Sequence, residues 1–130
     1  MSIVDHLADI GQAISRPKLK KLSLPQNGIE PEYCLYFTQI IPFETLEELN
    51  LMSNWFGLQG INRFAAHFKK FKRLRLLNFG NLKLGEETDQ DRSAIRDILL
   101  AVKDTLEELH LHENMLTNAL FLDYVLEPIL

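Results

Sequence analysis

One spacing of apolar residues recurs four times along this chain and constrains its fold more than any other feature. The template is leucine, two residues, leucine, one residue, leucine, two residues, asparagine, one residue, apolar. Its first copy is Leu19, Leu22, Leu24, Asn27 and Ile29, and its second is Leu46, Leu49, Leu51, Asn54 and Phe56. The third is Leu74, Leu77, Phe79, Leu82 and Leu84, with leucine in the asparagine slot, and the fourth is Leu106, Leu109, Leu111, Asn114 and Leu116. The copies begin 27, 28 and 32 residues apart. A period of this length with five specified positions marks a chain built from stacked supersecondary units.

Side chains two residues apart point to the same side of a strand. The pairs Leu22/Leu24, Leu49/Leu51, Leu77/Phe79 and Leu109/Leu111 therefore face one core, and strands are expected near 20–25, 47–52, 75–80 and 107–112. The residues between them face the opposite, open surface. Asn27, Asn54 and Asn114 are assigned a structural role, because an amide that both donates and accepts can satisfy backbone groups of neighbouring turns. Leu82 has no such group. A local irregularity is expected at the third turn, with its backbone satisfied by other backbone groups or by water.

Between the strand segments the spacing becomes helical. Ile61, Phe64, Ala65 and Phe68 fall on one helix face, as do Ile95, Ile98, Leu99 and Val102. Leu7, Ile10, Gly11 and Ile14 do the same ahead of the first strand, with the helix ending near Pro17. Pro31 suits the first turn of a helix over about 32–41 that Pro42 stops, and a last helix is expected from Leu120 to Leu126. The extra length of the third copy lies in 85–91, an acidic loop in which Thr88 or Asp89 could cap the next helix. Strands alternating with helices imply an α/β solenoid of about four repeats, a right-handed superhelix with parallel strands on the concave face and helices on the convex face. The chain reads as a single domain, 1–130, in which 1–17 is the helix of an incomplete leading repeat.

Composition narrows the function classes. A net charge of −4 gives no electrostatic reason to expect nucleic acid. No stretch has the roughly 18 apolar residues of a membrane helix. The single cysteine, Cys34, cannot form an internal disulfide, and the start of the chain lacks the pattern of a secretory signal, so a cytoplasmic setting is expected. Cys34 shares a helix face with Phe37 and Ile41 and reads as a small core residue. The basic run Lys69, Lys70, Lys72 and Arg73 reads as solvated charge at a helix end. No motif calls for a cofactor.

Repeats of 27 to 28 residues with helices resemble the ribonuclease-inhibitor-like class of leucine-rich repeats. Within it the wording is similar to the Ran GTPase-activating proteins. Leu24-Pro25-Gln26-Asn27-Gly28-Ile29 resembles that family's Gln-Asn-Gly-Ile turn, and the segment 51–60 resembles its next turn, with Trp55 and Gly57 in place of two threonines. Leu77-Asn78-Phe79-Gly80-Asn81 resembles the following strand, where the family has aspartate at the position of Asn81, and Leu106 to Leu111 resembles the strand after that. The resemblance covers Leu19 to Leu116 and corresponds to the C-terminal half of the family's repeat domain. It implies a regulator that binds Ran, a small GTPase that hydrolyses GTP in its own site, in nucleocytoplasmic transport. The family's activating asparagine and arginine belong to earlier repeats, and no position here matches them. The chain is therefore not expected to be an enzyme. The alternative is a non-catalytic scaffold within another complex.

A binding surface would lie on the open face and its rim. The candidates are Lys21, Gln26, Glu48, Asn50, Met52, Trp55, Asn78, Asn81, Glu108, His110, His112 and Glu113. Trp55 either anchors a partner, as tryptophan often does, or packs its indole over the adjacent turn. Glu47, Glu48, Glu107, Glu108 and Glu113 are expected to make this side acidic, suited to a basic partner. Glu108, His110 and His112 alternate on one face but lack a fourth ligand, so no metal is assigned. Both solenoid ends lack polar caps, and the apolar run Leu120, Phe121, Leu122, Val125, Leu126, Ile129 and Leu130 points to self-association or docking of a further repeat.

Overall fold

Alternation within each strand segment and helical spacing after it give every repeat two apolar surfaces that must meet. The computed structural model of the chain describes residues 7–14, 18–85 and 93–129. Its elements are α1 (Leu7–Ile14), β1 (Lys21–Ser23), a 3₁₀ turn (Pro31–Tyr33) running into α2 (Cys34–Ile40), β2 (Glu48–Asn50), α3 (Gly57–Ala65), β3 (Leu76–Asn78), α4 (Ser93–Val102), β4 (Glu108–His110), α5 (Asn118–Phe121) and α6 (Glu127–Ile129). The strands form one parallel sheet in the order β1-β2-β3-β4. The architecture is α/β.

The register places equivalent residues of the repeats side by side. Lys21, Glu48, Leu76 and Glu108 form one row, Leu22, Leu49, Leu77 and Leu109 the next, and Ser23, Asn50, Asn78 and His110 a third. Regular pairing is only three residues long, yet bonds such as Glu48 N–H to Lys20 O and Leu24 N–H to Asn50 O carry the ladder beyond both ends. Leu22, Leu49 and Leu77 are buried in the core beside Leu46, Leu74, Ile29, Phe56 and Leu84. Leu109, in the last strand, is only partly buried.

The helices supply the other side of the core. In α4 the stripe Ile95, Ile98, Leu99 and Val102 is buried as its spacing requires. The expected stripe through Phe68 is interrupted, because α3 ends at Ala65 and Phe68 enters the core from a 3₁₀ turn, Phe68–Lys70. Pro31 occupies the first 3₁₀ turn as expected, and Ile41 is extended, ending α2 before Pro42. The last helical segment is not uniform: between α5 and α6, Leu122–Leu126 form a π turn in which Glu127 N–H donates to Leu122 O. Thr117 caps its start, Oγ1 accepting from Leu120 N–H. In α1, Gly11 and Ile14 are buried, while the side chains of Leu7 and Ile10, Pro17, the loop over 86–92 with Thr88 and Asp89, and Leu130 lie outside the described residues.

The asparagines act in one direction. Asn54 Nδ2 donates to Leu24 O and Leu51 O, both at 2.9 Å, and its Oδ1 accepts from Asn27 N–H at 3.0 Å and Ile29 N–H at 3.1 Å. Asn114 does the same to the third turn: Nδ2 donates to Phe79 O at 2.7 Å, and Oδ1 accepts from Leu82 N–H at 2.8 Å and Leu84 N–H at 3.3 Å. Each amide therefore completes the turn before its own. This corrects the expectation for Leu82, whose turn is satisfied by the Asn114 side chain. The effect of leucine at 82 falls one repeat earlier. In the first, third and fourth turns the residue after the asparagine slot is left-handed (Gly28, Lys83, Met115), but in the second the left-handed residue is Gly57, two positions beyond Trp55. There Gly57 N–H donates to Leu82 O at 2.8 Å, so a backbone bond joins the second and third turns.

Candidate protein-binding face

The open face is built from the outward rows of the sheet and continues into the turns. Lys21, Gln26, Trp55, Glu108, His112 and Glu113 are exposed, and Glu48, Asn50, Met52, Asn78, Asn81 and His110 are half-buried. Asn50 and Asn78 bond forward along their own strands, Oδ1 accepting from Met52 N–H at 3.1 Å and Gly80 N–H at 3.0 Å. Asn78 Nδ2 also lies 3.5 Å from Met52 Sδ, and Asn81 Nδ2 donates to Ser53 Oγ at 3.3 Å. These bonds hold the middle of the face in a fixed arrangement. Gly80 leaves room for His112: a Cβ there would fall 2.3 Å from the imidazole Cε1.

The charge distribution differs from the expected acidic surface. Glu48 Oε2 lies 2.9 Å from Lys21 Nζ and 3.5 Å from the Arg75 guanidinium, and Glu47 lies 3.8 Å from Arg75 and 4.0 Å from Lys20. Lys21 holds the Glu48 carboxyl below the usual carboxylate range, against an opposing effect of desolvation. The glutamates of the second repeat are thus neutralised by lysines of the first and an arginine of the third. In the fourth repeat Glu107 and Glu113 have no ion-pair partner among the described residues. There His110 Nε2 sits 2.8 Å from Glu108 Oε1, with the His112 ring edge-on at 6.2 Å. Among the described residues, no three His, Cys, Asp or Glu side chains are placed to hold a metal ion.

Trp55 is not packed away. Trp55 is 56% exposed, and with Pro31, Gly57, Gln59 and Lys83 it lines a shallow cleft of about 180 Å³. Met115, at the equivalent position of the fourth turn, is 70% exposed. The indole therefore presents a flat apolar surface at the rim, the geometry that suits an anchor.

A repeated backbone feature escaped the sequence reading. Gln26, Ser53, Asn81 and Glu113, each immediately before the asparagine slot, have φ of 57°, 57°, 48° and 57°. This left-handed conformation is costly for residues with a Cβ. None of the four is glycine, so composition gave no signal. Only lining up the four copies on their asparagine slots brings these positions together.

Two other clusters lie away from the open face. Lys69, Lys70 and Lys72 of the basic run frame a cleft of about 530 Å³ with Pro42, Phe43, Glu44 and Thr45. Beside it His67 stacks on Phe43, and His67 Nδ1 lies 2.9 Å from Lys70 Nζ. Desolvation, then Lys70 and Lys69, lower the His67 pKa from its ordinary value of 6.5. The unfolded chain thus binds a proton that the folded chain resists, so stability falls as pH drops below about 6.5. His67→Gln is expected to reduce the loss in urea midpoint between pH 7.5 and 5.5 relative to the parent chain. An unchanged loss would refute that assignment.

Cys34 is fully buried, and burial pushes its thiol up to about 12. A thiol reagent at pH 8 is expected to leave Cys34 unmodified in the folded chain and to label it fully in denaturant. No helix among the described residues is long and apolar enough to cross a membrane. Neither a protein-family model nor a curated protein matches the chain.

Proposed function

We propose that the chain is a right-handed leucine-rich-repeat solenoid of the ribonuclease-inhibitor-like class, acting as a protein-binding module through its open sheet face and the Trp55 rim. The observation that carries this reading is the one-directional amide ladder. Asn54 and Asn114 each tie their turn to the preceding one, so equivalent positions are held in rows that a partner can read as one surface. The turn wording supports kinship with the Ran GTPase activators, and a Ran-type GTPase in the cytoplasm is the first partner to test. The module contributes binding surface and no catalytic group. Arg75, beside the open face, supports this, because Glu47 and Glu48 already engage its guanidinium.

The same engagement favours a second reading, a scaffold with an unrelated partner. GTP-loaded Ran passed over the immobilised chain, together with single-turnover GTP hydrolysis, separates the two. Retention of Ran without faster hydrolysis is expected, and Trp55→Ala is expected to weaken retention about tenfold or more. No acceleration of hydrolysis together with no retention of Ran would leave only the scaffold.

A further inference from the structure

The outer edge of β4 carries a pattern that fits a second copy of itself. Among the described residues, β4 pairs only with β3. From Glu108 onward its bonds to β3 are made by even-numbered residues: Glu108 N–H donates to Arg75 O, His110 O accepts from Phe79 N–H, and His112 O accepts from Asn81 N–H, while just ahead of the strand Glu107 N–H also donates to Arg75 O at 2.8 Å. In a strand, successive backbone groups point to opposite sides, so Leu109 directs its N–H and C=O away from β3, at the centre of the unpaired edge. The inward Leu109 side chain is only partly buried, whereas its row-mates Leu22, Leu49 and Leu77 are buried. Phe121, Leu122 and Ile129 are exposed at the same end of the molecule.

We propose that two copies pair β4 to β4 in antiparallel fashion, with Leu109 opposite Leu109 on the twofold axis. Backbone directions allow a few registers, those in which odd-numbered residues face odd-numbered residues, and side-chain charge selects among them. With Leu109 on the axis, Glu108 of each copy stands opposite His110 of the other, on the open face, in non-hydrogen-bonded pairs where side chains approach most closely. Shifting so that Glu108 faces Glu108 opposes like charges, and shifting the other way sets His110 against His110. Glu108 and His110 are already adjacent within one chain, 2.8 Å apart. The dimer therefore joins two such pairs into a four-membered network across the axis. The interface is isologous and closed, which ends growth at two copies. This inference does not rest on the small-GTPase reading.

The test is sedimentation equilibrium of the 130-residue chain from low micromolar to a few hundred micromolar, with circular dichroism confirming that each variant folds. The parent chain is expected to show a monomer–dimer equilibrium. His110→Glu places carboxylates opposite one another twice and is expected to weaken the dimer about tenfold. Adding Glu108→Lys to it restores opposite charges and is expected to bring the constant back to within about threefold. The register is read separately: a mixture of Glu108→Cys chains with His110→Cys chains forms a disulfide-linked dimer under mild oxidation, while either variant alone does not. A monomer at all concentrations would overturn the proposal and leave the edge to another polypeptide. A dimer indifferent to His110→Glu, or equal cross-linking of either cysteine variant alone, would overturn it as well.

Discussion

Replacing Asn114 with alanine is expected to lower the unfolding free energy by about 3–5 kcal/mol. The side chain is 2% exposed and bonds Leu82 N–H, Leu84 N–H and Phe79 O of the preceding turn, as well as Leu111 O of its own. Alanine removes all of these bonds, and a buried group stranded away from water costs roughly 1–3 kcal/mol. Asn27 supplies the control. Among the described residues its Nδ2 donates only to Pro25 O, in an exposed setting, and no strand pairs with the outer edge of β1. Asn27→Ala is expected to cost about 1 kcal/mol or less. Urea unfolding of the two variants side by side decides the matter: equal midpoints would contradict the backward-reaching role of the amide.

The second large effect is expected at Phe68. Its ring is fully buried and sits 6.1 Å from Phe64, 5.1 Å from Phe71 and 5.8 Å from Phe79, measured between centroids. It is therefore the point where α3, the segment after it and the third strand region meet. Phe68→Ala is expected to cost about 3–5 kcal/mol, and Phe68→Leu markedly less because most of the volume is retained. Phe121, an exposed aromatic, is expected to lose under about 1 kcal/mol on the same truncation. Thermal or urea unfolding of the three variants gives the comparison, and similar losses at Phe68 and Phe121 would refute the placement of the core.

What could be read from the chain beforehand follows from which interactions are local. The apolar slots were legible because burial acts on each repeat separately: Leu22, Leu49 and Leu77 had to face the core wherever the helices sat. The stripe of α4 was legible for the same reason. Interactions between repeats were not. Glu48 looked like part of an acidic patch until the register set Lys21 on one side of it and Arg75 close on the other. The irregularity attributed to Leu82 belongs to the turn around Trp55, because direction along the ladder is invisible in a single copy. The spacing of Phe68 does not distinguish a continuous helix from a 3₁₀ turn after Ala65, because both deliver its side chain to the same stripe. For the candidate site, the rows of residues were readable, but not the exposure of Trp55, which depends on the left-handed residue moving to Gly57.

The backward reach of the asparagines bears on how the chain is made. A ribosome adds the N-terminal residues first, and Leu82 joins the chain 32 residues before Asn114 does. Until then the amide of Leu82 lacks the Asn114 side chain, and the turn must keep it hydrated. Each unit of the nascent chain is thus finished by the one that follows it, and a ribosome that stalls between units leaves the last exposed turn open at its edge.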